Sequence, residues 1–282
     1  MVIQVKSIGE PLARWLEPEK TSRVLARFES TIQLQGEDGQ MWALTLLPNP
    51  GPFRMVVPAL PAWKPGTRVR ALLDASAAER LDVNVSRGVI AGAGDQVAWD
   101  AAALWDPRPN RRPLNPDERR TAMQELAAFL ASVNLPEVRE FWDSLGETWD
   151  SFTDALRSQD VGTLQAALNR LIGRGPGLTP AGDDFTQAIL VTLRTGDDSD
   201  RTAFRTLASA ITTLLPNTTP LSRTFLEEAL HGWAFGPLKT LLEALPEVPS
   251  DIVRQLVQIG ASSGAAYALG VLMGISYDRG RP

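Results

Sequence analysis

An α+β chain is predicted: a small β sandwich or barrel-like domain over residues 1–106, a Pro/Arg linker at 107–115 and a compact all-α domain over 116–282. Three observations predict it. Up to about Asp106, short β-rich runs alternate with turn residues. Asp106 to Pro113 then holds three prolines and three arginines in eight residues, too proline-rich for strand or helix. Beyond it, helix-start signals and helical periodicity run to the end.

In the first domain, Val24 to Leu34 and Met41 to Leu47 flank Gly36-Glu37-Asp38-Gly39, a hairpin with an acidic turn. Arg54 to Val57 and Thr67 to Leu73 continue the series, broken by Pro58, Pro61 and Pro65-Gly66. Val83 to Ile90 and Val97 to Trp99 close it. Trp42, Trp63, Trp99 and Trp105 read as core and rim aromatics, because the basic residues of a nucleic-acid stacking platform are not interleaved with them.

In the second domain, Asn115-Pro116-Asp117-Glu118 supplies a capping side chain, proline at the first helical position and acids in the first turn. Helices are predicted at Pro116 to Ser132, Pro136 to Leu145, Glu147 to Leu156, Val161 to Leu171, Pro180 to Arg194, Arg201 to Leu214, Pro220 to Trp233, Pro237 to Leu245, Ser250 to Ile259 and Ser263 to Ser276. The fifth is apolar almost all round, which makes it central.

Composition narrows the function classes. A net charge of −5 and a pI near 5.1 argue against a phosphate-backbone binder, so no nucleic acid is expected as partner. The basic cluster Arg108, Arg111 and Arg112 reads as linker charge. Zero cysteines exclude disulfides, Cys-ligated zinc, iron–sulfur clusters and a thiol nucleophile. No segment reaches the ~20 apolar residues of a spanning helix, so no membrane partner and a cytoplasmic location are expected. No Walker sequence is present, and the glycines lack the strand and spacing of a dinucleotide site; nucleotide, flavin, haem and zinc are not expected.

The chemistry is expected at Gly173-Arg174-Gly175-Pro176-Gly177-Leu178-Thr179-Pro180-Ala181-Gly182-Asp183-Asp184. Thr179 suits a helix cap and Pro180 a first helical position, which leaves the N–H groups of Ala181, Gly182 and Asp183 facing the loop. Such N–H groups favour an anion. Gly175, Gly177 and Gly182 keep side chains out of a ligand's way, while Asp183 and Asp184 put negative charge beside it. That conflict points to a metal, with Mg²⁺ the candidate, or to a ligand carrying donors as well. A plain structural use of both acids, answering the helix dipole and capping N–H groups, is the competing reading.

Two further helix mouths join the expectation. Thr219, Ser222 and Arg223 offer hydroxyls and a guanidinium suited to a carboxylate or phosphate, against an ordinary Thr-Pro cap. Ser262, Ser263 and Gly264 open the last helix, where small residues also suit close packing. His231, the single histidine, reads as a helix-end cation.

The phrase Gly175 to Phe185 resembles the signature of a bacterial family that includes the AllH-type subunit of oxamate carbamoyltransferase. The resemblance extends through Thr219 to Leu226 and Ile259 to Gly264. It implies a part in purine or allantoin nitrogen breakdown, where oxalurate and phosphate are exchanged with oxamate and carbamoyl phosphate by a complex of several subunits. In the last loop, where the family carries a His and an Asp, this chain has Ala261 and Ala265-Ala266. The expected function is therefore a carbamoyltransferase-complex subunit that binds a small anion: carbamoyl phosphate, phosphate or an oxamate-like acid. Asp183 and Asp184 would hold Mg²⁺ or accept a proton, and Arg223 would steer the anion. The alternative is a non-catalytic scaffold or regulatory subunit.

Overall fold

The computed structural model describes residues 1–16, 20–48, 50–72, 88–99, 103–133, 136–175 and 177–278. It is an α+β chain that falls into two compact units, Met1–Pro107 and Arg108–Pro282.

The first unit is one curled sheet. Its strands are β1 (Val2–Gln4), β2 (Ser7–Gly9), β3 (Thr21–Arg27), β4 (Thr31–Gly36), β5 (Met41–Thr45), β6 (Arg54–Val56), β7 (Arg68–Leu72), β8 (Gly88–Gly92), β9 (Asp95–Trp99) and β10 (Leu104–Trp105), with a short helix α1 (Glu10–Trp15). The spatial order is β1-β9-β8-β7-β3-β4-β5-β6-β2-β10. Most neighbours pair antiparallel, but β1 with β9, β10 with β2 and β5 with β6 are parallel. Residues 83–87 of the predicted strand ending at Ile90, and Leu73 of the one before it, lie outside the described residues.

Inward-facing Ile8, Ile32, Leu34, Leu44, Met55, Ile90 and Val97 fill the core of the sheet. Trp42 and Trp63 join them with their indoles satisfied: Trp42 donates to the Ser22 hydroxyl at 3.0 Å and Trp63 to the Gly92 carbonyl at 2.5 Å. The predicted strand from Val24 to Leu34 divides in two, because Phe28 N–H turns back onto the Thr31 carbonyl at 2.7 Å.

The second unit consists of helices α2 (Pro116–Ser132), α3 (Pro136–Ser158), α4 (Val161–Leu168), α5 (Ala181–Arg194), α6 (Asp198–Thr212), α7 (Pro220–Leu230), α8 (Gly236–Ala244), α9 (Ser250–Val257) and α10 (Ser263–Ser276), with a 3-10 turn at Leu215–Asn217. The two helices predicted on either side of Gly146 form one element, bent where Gly146 takes φ +23°. Asn115 and Glu118 complete a capping box at the start of α2.

Every residue of α5 from Ala181 to Leu193 is buried, and α10 is buried from Gly264 onward, so these two helices form the middle of the unit. The Tyr267 hydroxyl donates to Gln187 Oε1 at 2.8 Å between them, which satisfies two buried polar groups at once.

The strap at residues 108–114 is held to the helices rather than hanging as linker charge. Arg111 donates to the Thr195 hydroxyl at 2.9 Å and the Thr192 carbonyl at 3.0 Å, at the C-terminal end of α5 where a cation is favoured. Lys239 reaches the Arg108 carbonyl at 2.8 Å, and Glu243 accepts the Asn110 N–H at 2.7 Å. Among the described residues no helix is long and apolar enough to cross a membrane.

Candidate functional site

The turn leading into α5 is shaped by its glycines. Gly173, Gly175 and Gly177 all take positive φ, of +72°, +125° and +87°, the region that favours glycine. Gly182 has a different reason: a Cβ there would lie 2.0 Å from the Leu171 carbonyl oxygen, so backbone has to pass against backbone. The glycine content thus answers chain geometry first. One glycine also bears on access, because a Cβ on Gly175 would sit 3.0 Å from the Ala181 nitrogen and cover it.

The start of α5 differs from the expectation. Pro180 occupies the capping position without a side-chain bond, and Thr179 does not cap. The Gly182 N–H donates to the Arg174 carbonyl at 3.3 Å, and the Asp183 N–H to the Pro180 carbonyl at 2.9 Å. Two of the three N–H groups expected to face the loop are therefore spent inside the turn. No acceptor among the described residues takes the Ala181 N–H.

Asp183 is 1% exposed and its carboxylate gathers donors from three places. Oδ1 accepts the Gly173 N–H at 2.8 Å; Oδ2 accepts the Ser222 hydroxyl at 2.7 Å and the Thr218 hydroxyl in a shorter bond. These charge-assisted bonds tie the glycine turn to the mouth of α7. Asp184, one residue on, is also 1% exposed. A Mg²⁺ ion fits Asp183 poorly, since donors already point hydrogens at both of its oxygens. Among the described residues no group of three or more His, Asp or Glu side chains is arranged to hold a metal.

The other predicted residues fall into two sets. Thr219 caps α7, its hydroxyl oxygen accepting the Ser222 N–H at 3.1 Å while the hydroxyl donates to the Leu178 carbonyl at 2.5 Å. Thr179 and Ser263 bring their hydroxyls to 3.2 Å from each other, which joins the glycine turn to the mouth of α10. Three helix mouths thus meet. Arg223 instead turns its Nε to the Leu215 carbonyl at 3.0 Å, bracing the 3-10 turn before α7. Gly264 serves packing: a Cβ there would lie 2.1 Å from the Leu256 carbonyl oxygen. Ser262 precedes α10 without a side-chain cap bond. Pro176 lies outside the described residues.

Sequence reasoning counted Thr218 among the hydroxyls of the second helix start but did not foresee that it and the Gly173 N–H meet at Asp183, because that meeting is a tertiary event. It also missed the buried pair of Arg119 and Asp200, which meet in two bonds of 3.0 and 2.5 Å beyond the far end of α5. A cavity of about 90 Å³ lies beside that pair, lined by Ser199 and Tyr277 among others. No local signal links groups so far apart in sequence.

Fold and site together define an α+β chain whose helical unit joins three hydroxyl-bearing helix mouths through one glycine turn, with a buried aspartate binding that turn to the mouth of α7. Residues 171–275 match the family model described as oxamate carbamoyltransferase subunit AllH. The resemblance seen in the sequence is borne out over that segment, which contains all three mouths. No solved structure matches the chain.

Proposed function

We propose that this chain is a subunit of a carbamoyltransferase complex that exchanges oxalurate and phosphate with oxamate and carbamoyl phosphate. In this reading its helical unit seats the small anion where the three mouths meet. The observation that carries it is that the AllH match spans the segment whose glycine turn and α5 start are hydrogen-bonded to the α7 mouth on one side and to the α10 mouth on the other.

The Ala181 N–H at the start of α5, which meets no acceptor among the described residues, is the backbone donor for the anion, and Gly175 omits the Cβ that would lie 3.0 Å from its nitrogen. Thr179 and Ser263 add a hydroxyl: when two hydroxyls share one hydrogen bond, one proton remains to donate outward. Donors fixed in this way stabilise oxygen charge as it develops during carbamoyl transfer. Asp183 positions the seat and does not touch the anion. This reading asks for no magnesium on Asp183, whose carboxylate is engaged by the Gly173 N–H and the Thr218 and Ser222 hydroxyls.

Isothermal titration of the purified chain and its complex with carbamoyl phosphate, with and without Mg²⁺, tests the reading. Saturable binding that does not require Mg²⁺ supports it. A folded complex that gives no heat in either condition favours the scaffold or regulatory alternative.

A further inference from the structure

We infer that the cavity beside Arg119 and Asp200 is a second binding site, built for a small uncharged amide or ureido compound whose carbonyl oxygen meets Arg119 and whose N–H groups meet the carboxylate of Asp197. The inference does not rest on the transferase reading, and its site lies at the opposite end of α5 from the glycine turn.

The place is fixed by the chain just past α5. Gly196 follows that helix, and a Cβ there would lie 1.9 Å from Asp200 Oδ2, so the glycine makes room for a carboxylate pressed against the backbone. Asp197 caps α6, and Asp200 completes the capping box. The 14 residues of α5 span about 21 Å, which sets the cavity apart from the anion seat.

Arg119 carries the argument. Its side chain is 7% exposed, and its two hydrogen bonds both go to Asp200. A guanidinium has five N–H groups, so three of them, the one on Nε and one on each terminal nitrogen, have no hydrogen-bond acceptor among the described residues. Asp197 Oδ2 stands 3.7 Å from Nη2, too far for a hydrogen bond. Unmet N–H groups on a buried cation are costly, and Arg119 lines the cavity of about 90 Å³ from which an acceptor would meet them. On the same wall the Ser199 and Tyr277 hydroxyls lie 3.3 Å apart; sharing one hydrogen bond, they keep one proton to donate. Burial pushes the Tyr277 phenol above its ordinary value, so it holds that proton at neutral pH.

Charge and size select the ligand class. Asp200 already neutralises Arg119, and Asp197 and Asp278 also line the cavity. A carboxylate or phosphate would add one more negative charge among three aspartates. A metal ion would face Arg119, and among the described residues no group of three or more His, Asp or Glu side chains is arranged to hold one. An uncharged carbonyl oxygen takes the Arg119 donors without either conflict. An N–H beside it can donate to Asp197 Oδ2, since only Oδ1 of that carboxylate is engaged, by the Asp200 N–H at 2.9 Å. The cavity holds on the order of three to six waters, and hence a ligand of about four to six heavy atoms.

Amide NMR titration of the full chain with acetamide and with urea tests the inference. Acetate serves as the charged isostere of acetamide, and methylammonium as the cation control. The expected result is saturable shifts on the Ser199, Asp200 and Tyr277 amides and the Arg119 Nε–H, with a Kd of roughly 1–10 mM, in keeping with so few heavy atoms. Acetate and methylammonium should bind at least tenfold more weakly. Because Arg119→Ala would strand a buried carboxylate and can unfold the protein, two milder variants carry the test. Asp197→Asn keeps the oxygen that caps α6 but puts a donor in place of Oδ2, and should weaken acetamide at least fivefold. Ser199→Leu changes an exposed residue on the cavity wall to one that fills the space, and should abolish binding. Absence of saturable shifts at these groups up to about 100 mM, acetate or methylammonium binding as well as acetamide, or an acetamide affinity unmoved by either variant overturns the inference.

Discussion

Asp183→Ala separates an aspartate that organises the site from one that works on a ligand. The change strips the acceptor from the Gly173 N–H, the Thr218 hydroxyl and the Ser222 hydroxyl. Ser222 is fully buried, so its hydroxyl has no water to turn to. Gly173 and Thr218 are half-buried and recover in part. Losing a buried donor's partner costs about 1–3 kcal/mol, so the sum for this cluster is roughly 3–5 kcal/mol. Asp183→Asn keeps one acceptor oxygen and lets the hydroxyls reverse, losing mainly the charge assistance; about 1–2 kcal/mol is expected. Urea unfolding of the helical unit, followed at constant m-value, reads both changes as shifts in midpoint. An Asp183→Ala protein within about 1 kcal/mol of wild type would refute the reasoning, because it would mean that the three donors never depended on this carboxylate.

Other outcomes follow from the same geometry. Gly182→Ala drives a methyl to 2.0 Å from the Leu171 carbonyl oxygen and should cost several-fold more stability than Gly177→Ala, which meets no atom and bears only the left-handed backbone penalty of about 1–2 kcal/mol; paired thermal melts check the order. Glu118 is held down to about 2 by its bond to Arg112 and the Asn115 N–H. Its folded value lies below the ordinary 4.5, so its contribution is complete above that value and is lost as pH falls towards about 2. Carboxylate NMR titration should show that low midpoint, and Arg112→Gln should return it towards the ordinary range.

Helix ends were legible where local chemistry sets them. Asn115-Pro116 fixed the start of α2, and the apolar run from Ser263 to Ser276 matched α10 end to end. The α+β order was legible for the same reason, since strand and helix periodicities differ. Strands β1, β2 and β10 were not legible: each has two or three residues and exists because a distant segment pairs with it, as Val2 does with Gln96. Arg111 looked like linker charge because its acceptors, Thr192 and Thr195, lie 81 and 84 residues away.

The glycine turn stood out in the sequence, but the orientation of Asp183 did not. First-turn acids on a helix read equally as caps, ligands or anchors. Which of these Asp183 is depends on Thr218 and Ser222, 35 and 39 residues further on. Thr219 shows the opposite case: the local Thr-Pro pattern announced its capping bond, and only folding revealed that the same hydroxyl also holds the Leu178 carbonyl.

The most direct test of an anion seat at the three mouths is an amide NMR titration of the full chain with carbamoyl phosphate. The account predicts that the largest saturable shifts fall on Gly177, Ala181 and Ser263, and that Ser263→Ala weakens the binding without unfolding the protein. Shifts confined to the β unit or to the surroundings of Arg119, with those three amides unmoved, would contradict it.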